Sequence, residues 1–276
     1  MPGRLATLFG ALLLIAGCAS ALPSGFVTGT SVHHINVGGR DRSYRLYEPA
    51  GIPASTPLVV VLHGYSGSAQ QVERDYGWDE LADAGRFVVA YPDGVDRAWN
   101  VDGEGCCGRP GREGVDDVAF ISAAVADIAR NVATDPARVY VTGMSNGAIM
   151  SYTLACDTDI FAAIGPVAGT LLTDCRKPRP MSIMHIHGTA DRLVPYGGGQ
   201  GFSVIHGPSV PSLNAFWRNV DQCGSPATVT NGPLATSTAG CTGNRGVVLI
   251  TIDGGGHEWP GFASQRLWEF FAAHPR

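Results

Sequence analysis

The feature that most constrains this chain is a series of short apolar runs, at 57–62, 87–90, 138–142, 162–167, 181–186 and 247–252. Apolar residues stand at consecutive positions rather than alternating, the mark of strands covered on both faces, as in a parallel sheet. Between them, 69–84, 115–131, 146–155, 209–220 and 264–273 carry helical spacing, as in Val118, Ile121, Val125 and Ile128. Strand and helix in alternation predict an α/β fold with a mostly parallel sheet and helices on both faces. The stretches 31–37 and 42–47 alternate polar and apolar around Gly38-Gly39, which predicts an antiparallel hairpin at the N-terminal side of that sheet. Neither a repeat nor a second linker interrupts the pattern, so 31–276 reads as one catalytic-sized domain. Its 276 residues are 45% hydrophobic and 16% charged, enough to build a core. A formal charge of −5 without any Lys/Arg-rich run argues against nucleic-acid binding.

The N-terminus reads as an address. Arg4 precedes an apolar run from Leu5 to Ala16, too short for the roughly 20 residues that span a bilayer but suited to an export signal. It ends in Ile15-Ala16-Gly17-Cys18, similar to a bacterial lipobox. On that reading 1–17 is a lipoprotein signal peptide, Cys18 carries the lipid that holds the protein to the membrane, and 18–30 is a tether. The alternative is an ordinary signal peptide cut near Ala19 to Ala21, releasing a secreted protein. Either way the domain lies outside the cytoplasm. Six cysteines remain, an even number in an oxidising compartment, which favours disulfides over metal ligands. Cys156 with Cys175 and Cys223 with Cys241 are the shortest closures. Cys106 would then be bridged to Cys107, or the local scheme fails.

The chemistry is concentrated at Gly143-Met144-Ser145-Asn146-Gly147, a G-x-S-x-G placed between a predicted strand and a predicted helix. In that context the motif is a nucleophile elbow, with a serine on a strained turn and small residues two before and two after it. The partners of such a serine follow in the order acid, then histidine, at later strand ends. His257, after Gly254-Gly255-Gly256 and the last strand, is the candidate base. Asp191, after the run 181–186, is the candidate acid; Asp174 falls at the wrong end of the sheet and Asp253 is too close in sequence to His257. Backbone N–H groups of Tyr65, after the first parallel strand, and of Asn146 are the candidate oxyanion donors. The result is an α/β-hydrolase fold, and turnover is expected to fall as pH drops through the imidazole range, roughly 6–7.

Eight segments in order, Val61-Leu-His-Gly-Tyr-Ser-Gly67, Tyr91-Pro-Asp-Gly94, Trp99-Asn100, Cys106-Cys-Gly108, Val115-Asp-Asp-Val118, Gly143-Met-Ser-Asn-Gly147, His185-Ile-His-Gly-Thr-Ala-Asp191 and Gly255-Gly-His-Glu-Trp-Pro-Gly261, resemble the secreted polyhydroxybutyrate depolymerase and feruloyl esterase family, and within it bacterial lipoprotein esterases. The resemblance implies carboxylic-ester hydrolysis through Ser145, Asp191 and His257. Polymer-eroding members often carry an added surface-binding module, whereas this chain stops at Arg276. Small or oligomeric esters are therefore expected: feruloyl or acetyl groups on sugars, or short hydroxyalkanoate oligomers.

Other signals are assigned to structure. The G-x-G-x-x-G at 103–108 lacks the flanking strand and helix of a nucleotide site. His185 and His187 share a strand face and are expected to pack rather than bind metal; neither metal nor cofactor is expected. His63 is expected to brace the oxyanion loop, and Asp116 and Asp117 to open a helix. Trp99 and Trp259 are candidate platforms for an aromatic acyl group or a sugar, with core capping as the alternative. Two other functions stay open: an extracellular acyltransferase with the same triad, and a catalytically silent cell-envelope binding protein. The sequence leaves the oligomeric state open.

Overall fold

Leu58, Val60 and Leu62 pack on one side of a sheet and Val59 and Val61 on the other, so the first apolar run is a strand buried on both faces. The computed structural model describes Met1 and residues 28–101 and 106–276. The rest of the predicted leader, Cys18 and most of the tether lie outside the described residues. The elements are β1 (Gly29–Val37), β2 (Arg40–Glu48), β3 (Thr56–Leu62), α1 (Ala69–Asp75), α2 (Trp78–Gly85), β4 (Val88–Pro92), α3 (Gly108–Arg112), α4 (Asp117–Asn131), β5 (Thr134–Met144), α5 (Asn146–Asp157), β6 (Ala163–Val167), β7 (Ser182–Gly188), β8 (Gly199–Gln200), β9 (His206–Gly207), α6 (Val210–Val220), β10 (Ala227–Asn231), β11 (Leu234–Gly240), β12 (Gly246–Ile252) and α7 (Ala263–Ala273).

Among the described residues ten strands form one sheet, ordered β1-β2-β4-β3-β5-β6-β7-β12-β11-β10. The six from β4 to β12 run parallel, and an antiparallel hairpin closes each edge. This is the predicted α/β-hydrolase fold. Residues of α4, α5 and α6 join one core layer and residues of α1, α2 and α7 the other. In the second layer Phe271 stacks on Tyr140 with ring centroids 4.9 Å apart. Each fully buried side chain of this size contributes about 1.5–3 kcal/mol through loss of apolar surface from water. The register aligns Leu62 with Gly143, Val167 with Ile186 and Gly188 with Ile252. The loops that follow these strands therefore emerge at one edge, where ligands bind in open α/β sheets.

Beyond short additions such as α3 and the β8–β9 pair, three details differ from the sequence reading. The helix expected over 69–84 is two helices, because Gly77 adopts φ 67° between α1 and α2, a left-handed conformation that apolar spacing does not signal. The β10–β11 hairpin was not anticipated: Ala227–Asn231 is a short strand exposed throughout, with Val229 as its one large apolar side chain. The first strand begins at Gly29, two residues before the expected domain boundary. The three disulfides, Cys106–Cys107, Cys156–Cys175 and Cys223–Cys241, are the local scheme.

Candidate active site

Ser145 sits between β5 and α5 with φ 56° and ψ −118°, the strained conformation of an elbow, and its own carbonyl accepts the first helical bond, from Ile149 N–H at 2.9 Å. The two glycines of the motif are steric requirements. A Cβ at Gly147 would lie 2.5 Å from the Leu62 carbonyl oxygen, and one at Gly143 2.7 Å from the Gly147 backbone. The turn is held from β6 as well, where Val167 O accepts from Ser145 N–H at 2.9 Å.

Asp191 and His257 meet because two loops approach closely. Gly188 has Gly255 O only 2.2 Å from where a Cβ would stand, and Ala190 N–H donates to that same carbonyl at 2.9 Å. The His257 Nδ1 then donates to Asp191 Oδ2 at 2.8 Å, while Asp191 Oδ1 accepts from the N–H groups of Leu193 at 2.8 Å and Val194 at 2.9 Å. Burial pushes this carboxyl group's pKa up, but bonds from His187, His257 and the Val194 N–H outweigh it and hold the group well below the usual carboxylate range. The rival carboxylates are elsewhere: Asp253 accepts from the Thr189 hydroxyl at 3.3 Å, and Asp174 pairs with Arg176 on the surface.

Ser145 and His257 line one cavity of about 660 Å³ together with Gly64, Tyr65 and Asn146. The rest of its lining is mostly apolar or aromatic, from Tyr76, Leu193, Phe202, Val204 and Ile205, with Gln71, Arg112 and Ser203 as polar members. Tyr65, Leu193, Phe202 and Val204 are large apolar side chains left 43–52% exposed, and their shared position at this opening accounts for that exposure.

Comparison with known proteins gives the family. The family described as esterase PHB depolymerase matches residues 42–197. The chain belongs to that family. A protein of Nocardia uniformis subsp. tsuyamanensis, NocK, named as an esterase, is 35% identical over 84% of this chain and 74% of its own length. Feruloyl esterase C of Emericella nidulans is 30% identical, covering 96% of this chain and 95% of the relative. Among solved structures, an acetyl xylan esterase from Aspergillus awamori superposes with a TM-score of 0.69 at 17% identity, covering 88% of this chain and 99% of that one, which shows the shared fold. As a member of the esterase PHB depolymerase family, the chain is a serine carboxylic ester hydrolase.

Within this esterase Trp99 is not a platform. It is fully buried; its indole N–H donates to His63 O at 2.8 Å, and its backbone exchanges bonds with the Asn146 side chain at 2.7 and 3.1 Å. Its ring lies 4.7 Å from that of His63, so it braces the junction of elbow and Tyr65 loop. His63 acts as expected of a bracing residue. Its Nδ1 donates to Gly64 O at 2.8 Å and its Nε2 accepts from Gly94 N–H at 2.9 Å, the neutral form that burial also favours by lowering its pKa. Trp259 stands behind the cavity wall, stacked 4.1 Å from Tyr76 and donating to Ser264 Oγ at 3.2 Å. The sequence reading passed over Tyr76, Arg112 and the 202–205 segment. Phe202 and Val204 follow the glycine-rich 197–201, and bulky apolar residues in so unsupported a loop were the available signal.

Proposed function

We propose that Ser145 is the nucleophile, His257 its general base and Asp191 the group that orients the imidazole, with the Tyr65 and Asn146 N–H groups holding the oxyanion. The observation that carries this reading is the Asp191–His257 bond of 2.8 Å opening, together with a strained Ser145, on one cavity. His257 takes the Ser145 proton as Oγ bonds to the ester carbonyl carbon. The imidazolium returns that proton to the departing alcohol as the C–O bond breaks, leaving an acyl-enzyme. Water, deprotonated by His257, then releases the acid and restores Ser145. The apolar mouth formed by Tyr65, Phe202, Leu193 and Val204 supports an acyl group with an apolar or aromatic body, the alcohol side being a sugar or a second hydroxyacyl unit.

The disulfides support folding in an oxidising compartment. The apolar run before Cys18 supports anchoring there by a lipid. The test is initial rates of the protein and its Ser145→Ala variant on an aryl acetate, methyl ferulate, an acetylated xylo-oligosaccharide and a hydroxybutyrate oligomer. Ser145-dependent turnover of one natural ester above the others is the expected result; equal rates for the two proteins would remove Ser145 from the mechanism.

A further inference from the structure

Behind the Asp191–His257 pair lies a line of buried polar side chains that the proposed cycle does not use. Tyr152 of α5 and His185 and His187 of β7 are essentially without solvent contact. The Tyr152 hydroxyl is 2.9 Å from His185 Nδ1, His185 Nε2 is 3.0 Å from His187 Nδ1, and His187 Nε2 is 2.8 Å from Val194 O and 3.2 Å from Asp191 Oδ2. A carbonyl and a carboxylate only accept, so His187 Nε2 carries a proton. Burial, and then the neighbouring His187, push the His185 pKa well below its ordinary value, and burial keeps the Tyr152 hydroxyl protonated. With His187 neutral, the three rings have one consistent direction of donation: Tyr152 O–H to His185 Nδ1, His185 Nε2–H to His187 Nδ1, and His187 Nε2–H outward to Val194 O and Asp191 Oδ2.

From this chain we infer that His187 is a positioning residue of the catalytic acid, held in its donating tautomer by His185 and Tyr152. The inference rests on the reading of Ser145, Asp191 and His257 given above. Asp191 then accepts four bonds, two on each oxygen, and has no freedom to rotate away from His257. Donation from His187 also withdraws part of the charge that Asp191 offers the imidazolium. Around this pair, Tyr196 lies edge-on to His187 at 5.9 Å, Tyr76 and Arg112 line the same cavity as His257, and Asp253 and Glu258 are the carboxylates nearest His257 in the sequence. Asp253 is already engaged by Thr189. The side chains that bond the Asp191 carboxylate are His187 and His257.

The test compares His187→Phe, which fills the space without a donor, with His187→Gln, which restores one. Rates are expressed per active site, counted with a serine-reactive phosphonate. His187→Phe is expected to lower kcat about tenfold or more, the size of one charge-assisted bond, with KM within about twofold. The acid limb of its kcat/KM profile moves up by about half a pH unit or more, because an uncompensated carboxylate favours protonated His257. His187→Gln recovers most of both effects. A lower kcat with an unmoved limb would mean a packing role alone and overturn the inference. If turnover proves independent of Ser145, the triad reading itself fails, a different result. Nitrogen NMR of the histidine-labelled native protein tests the premise even if His187→Phe does not fold: a proton on Nε2 of His187 at pH 7 is expected, and one on Nδ1 alone overturns the inference.

Discussion

At the scale of single residues, little room surrounds Ser145. Removing its hydroxyl leaves binding and oxyanion donors in place, so Ser145→Ala is expected to lower kcat by at least about 10³-fold with a modest change in KM. Gly147→Ala is expected to be worse than an ordinary small-to-large change. Its methyl group would meet the Leu62 and His63 carbonyl oxygens at 2.5 and 2.6 Å, and backbone cannot step aside as a side chain can. A loss of about 1–3 kcal/mol in urea unfolding, together with a large loss of activity, is the expected result. Asp191 supplies a test in pH. Its carboxyl is held well below the range of an unfolded aspartate, near 3.9. A group depressed in this way contributes stability above the unfolded value and loses it as pH falls toward the folded one. The advantage in stability of the protein over Asp191→Asn should therefore shrink as pH falls below about 4, as read by unfolding curves across that range.

At the scale of elements, what was legible followed from periodicity and motif. The parallel strands, the opening hairpin and α4 through α7 carried apolar patterns that only one packing satisfies. The elbow was legible because a strand, a helix and two glycines converge on Ser145, and His257 because three glycines precede it at a strand exit. The break between α1 and α2 was not, because it depends on a backbone angle at Gly77, and β10 is a short exposed strand with a single large apolar side chain, Val229. Trp99 shows a different limit. A tryptophan in a loop near a cavity looks like a platform from sequence, but the choice between facing the cavity and bracing it depends on Asn146 and His63, 47 and 36 residues away. The α2 helix carries its own prediction. Asp79 in its first turn is raised to about 6, chiefly by burial and also by nearby Glu73, Glu80 and Asp83, against a bond from Tyr91. A raised carboxyl group's contribution is full below the unfolded value and lost as pH rises through about 6. Asp79→Asn should accordingly gain stability relative to the protein between pH 6 and 8 and show no such gain near pH 4, as thermal melts at the two pH values would show.

At the scale of the whole molecule, the sheet positions chemistry by bringing strand ends to one edge, and the disulfides secure the segments outside it. Cys156–Cys175 ties the end of α5 to the chain that leads into β7, closing 19 residues. Closing a loop of that length restricts the unfolded chain by about 3 kcal/mol, so the Cys156→Ser/Cys175→Ser pair is expected to lower unfolding stability by that order while leaving kcat nearly unchanged. The central claim is that Ser145 becomes covalently bonded, activated by His257 held on Asp191. It is tested most directly by exposing the protein, Ser145→Ala and His257→Asn to a fluorophosphonate and locating the adduct by peptide mass mapping. One adduct per chain is expected, on Ser145, absent in Ser145→Ala and formed far more slowly in His257→Asn. Equal labelling of all three proteins, or an adduct on any other residue, would contradict it.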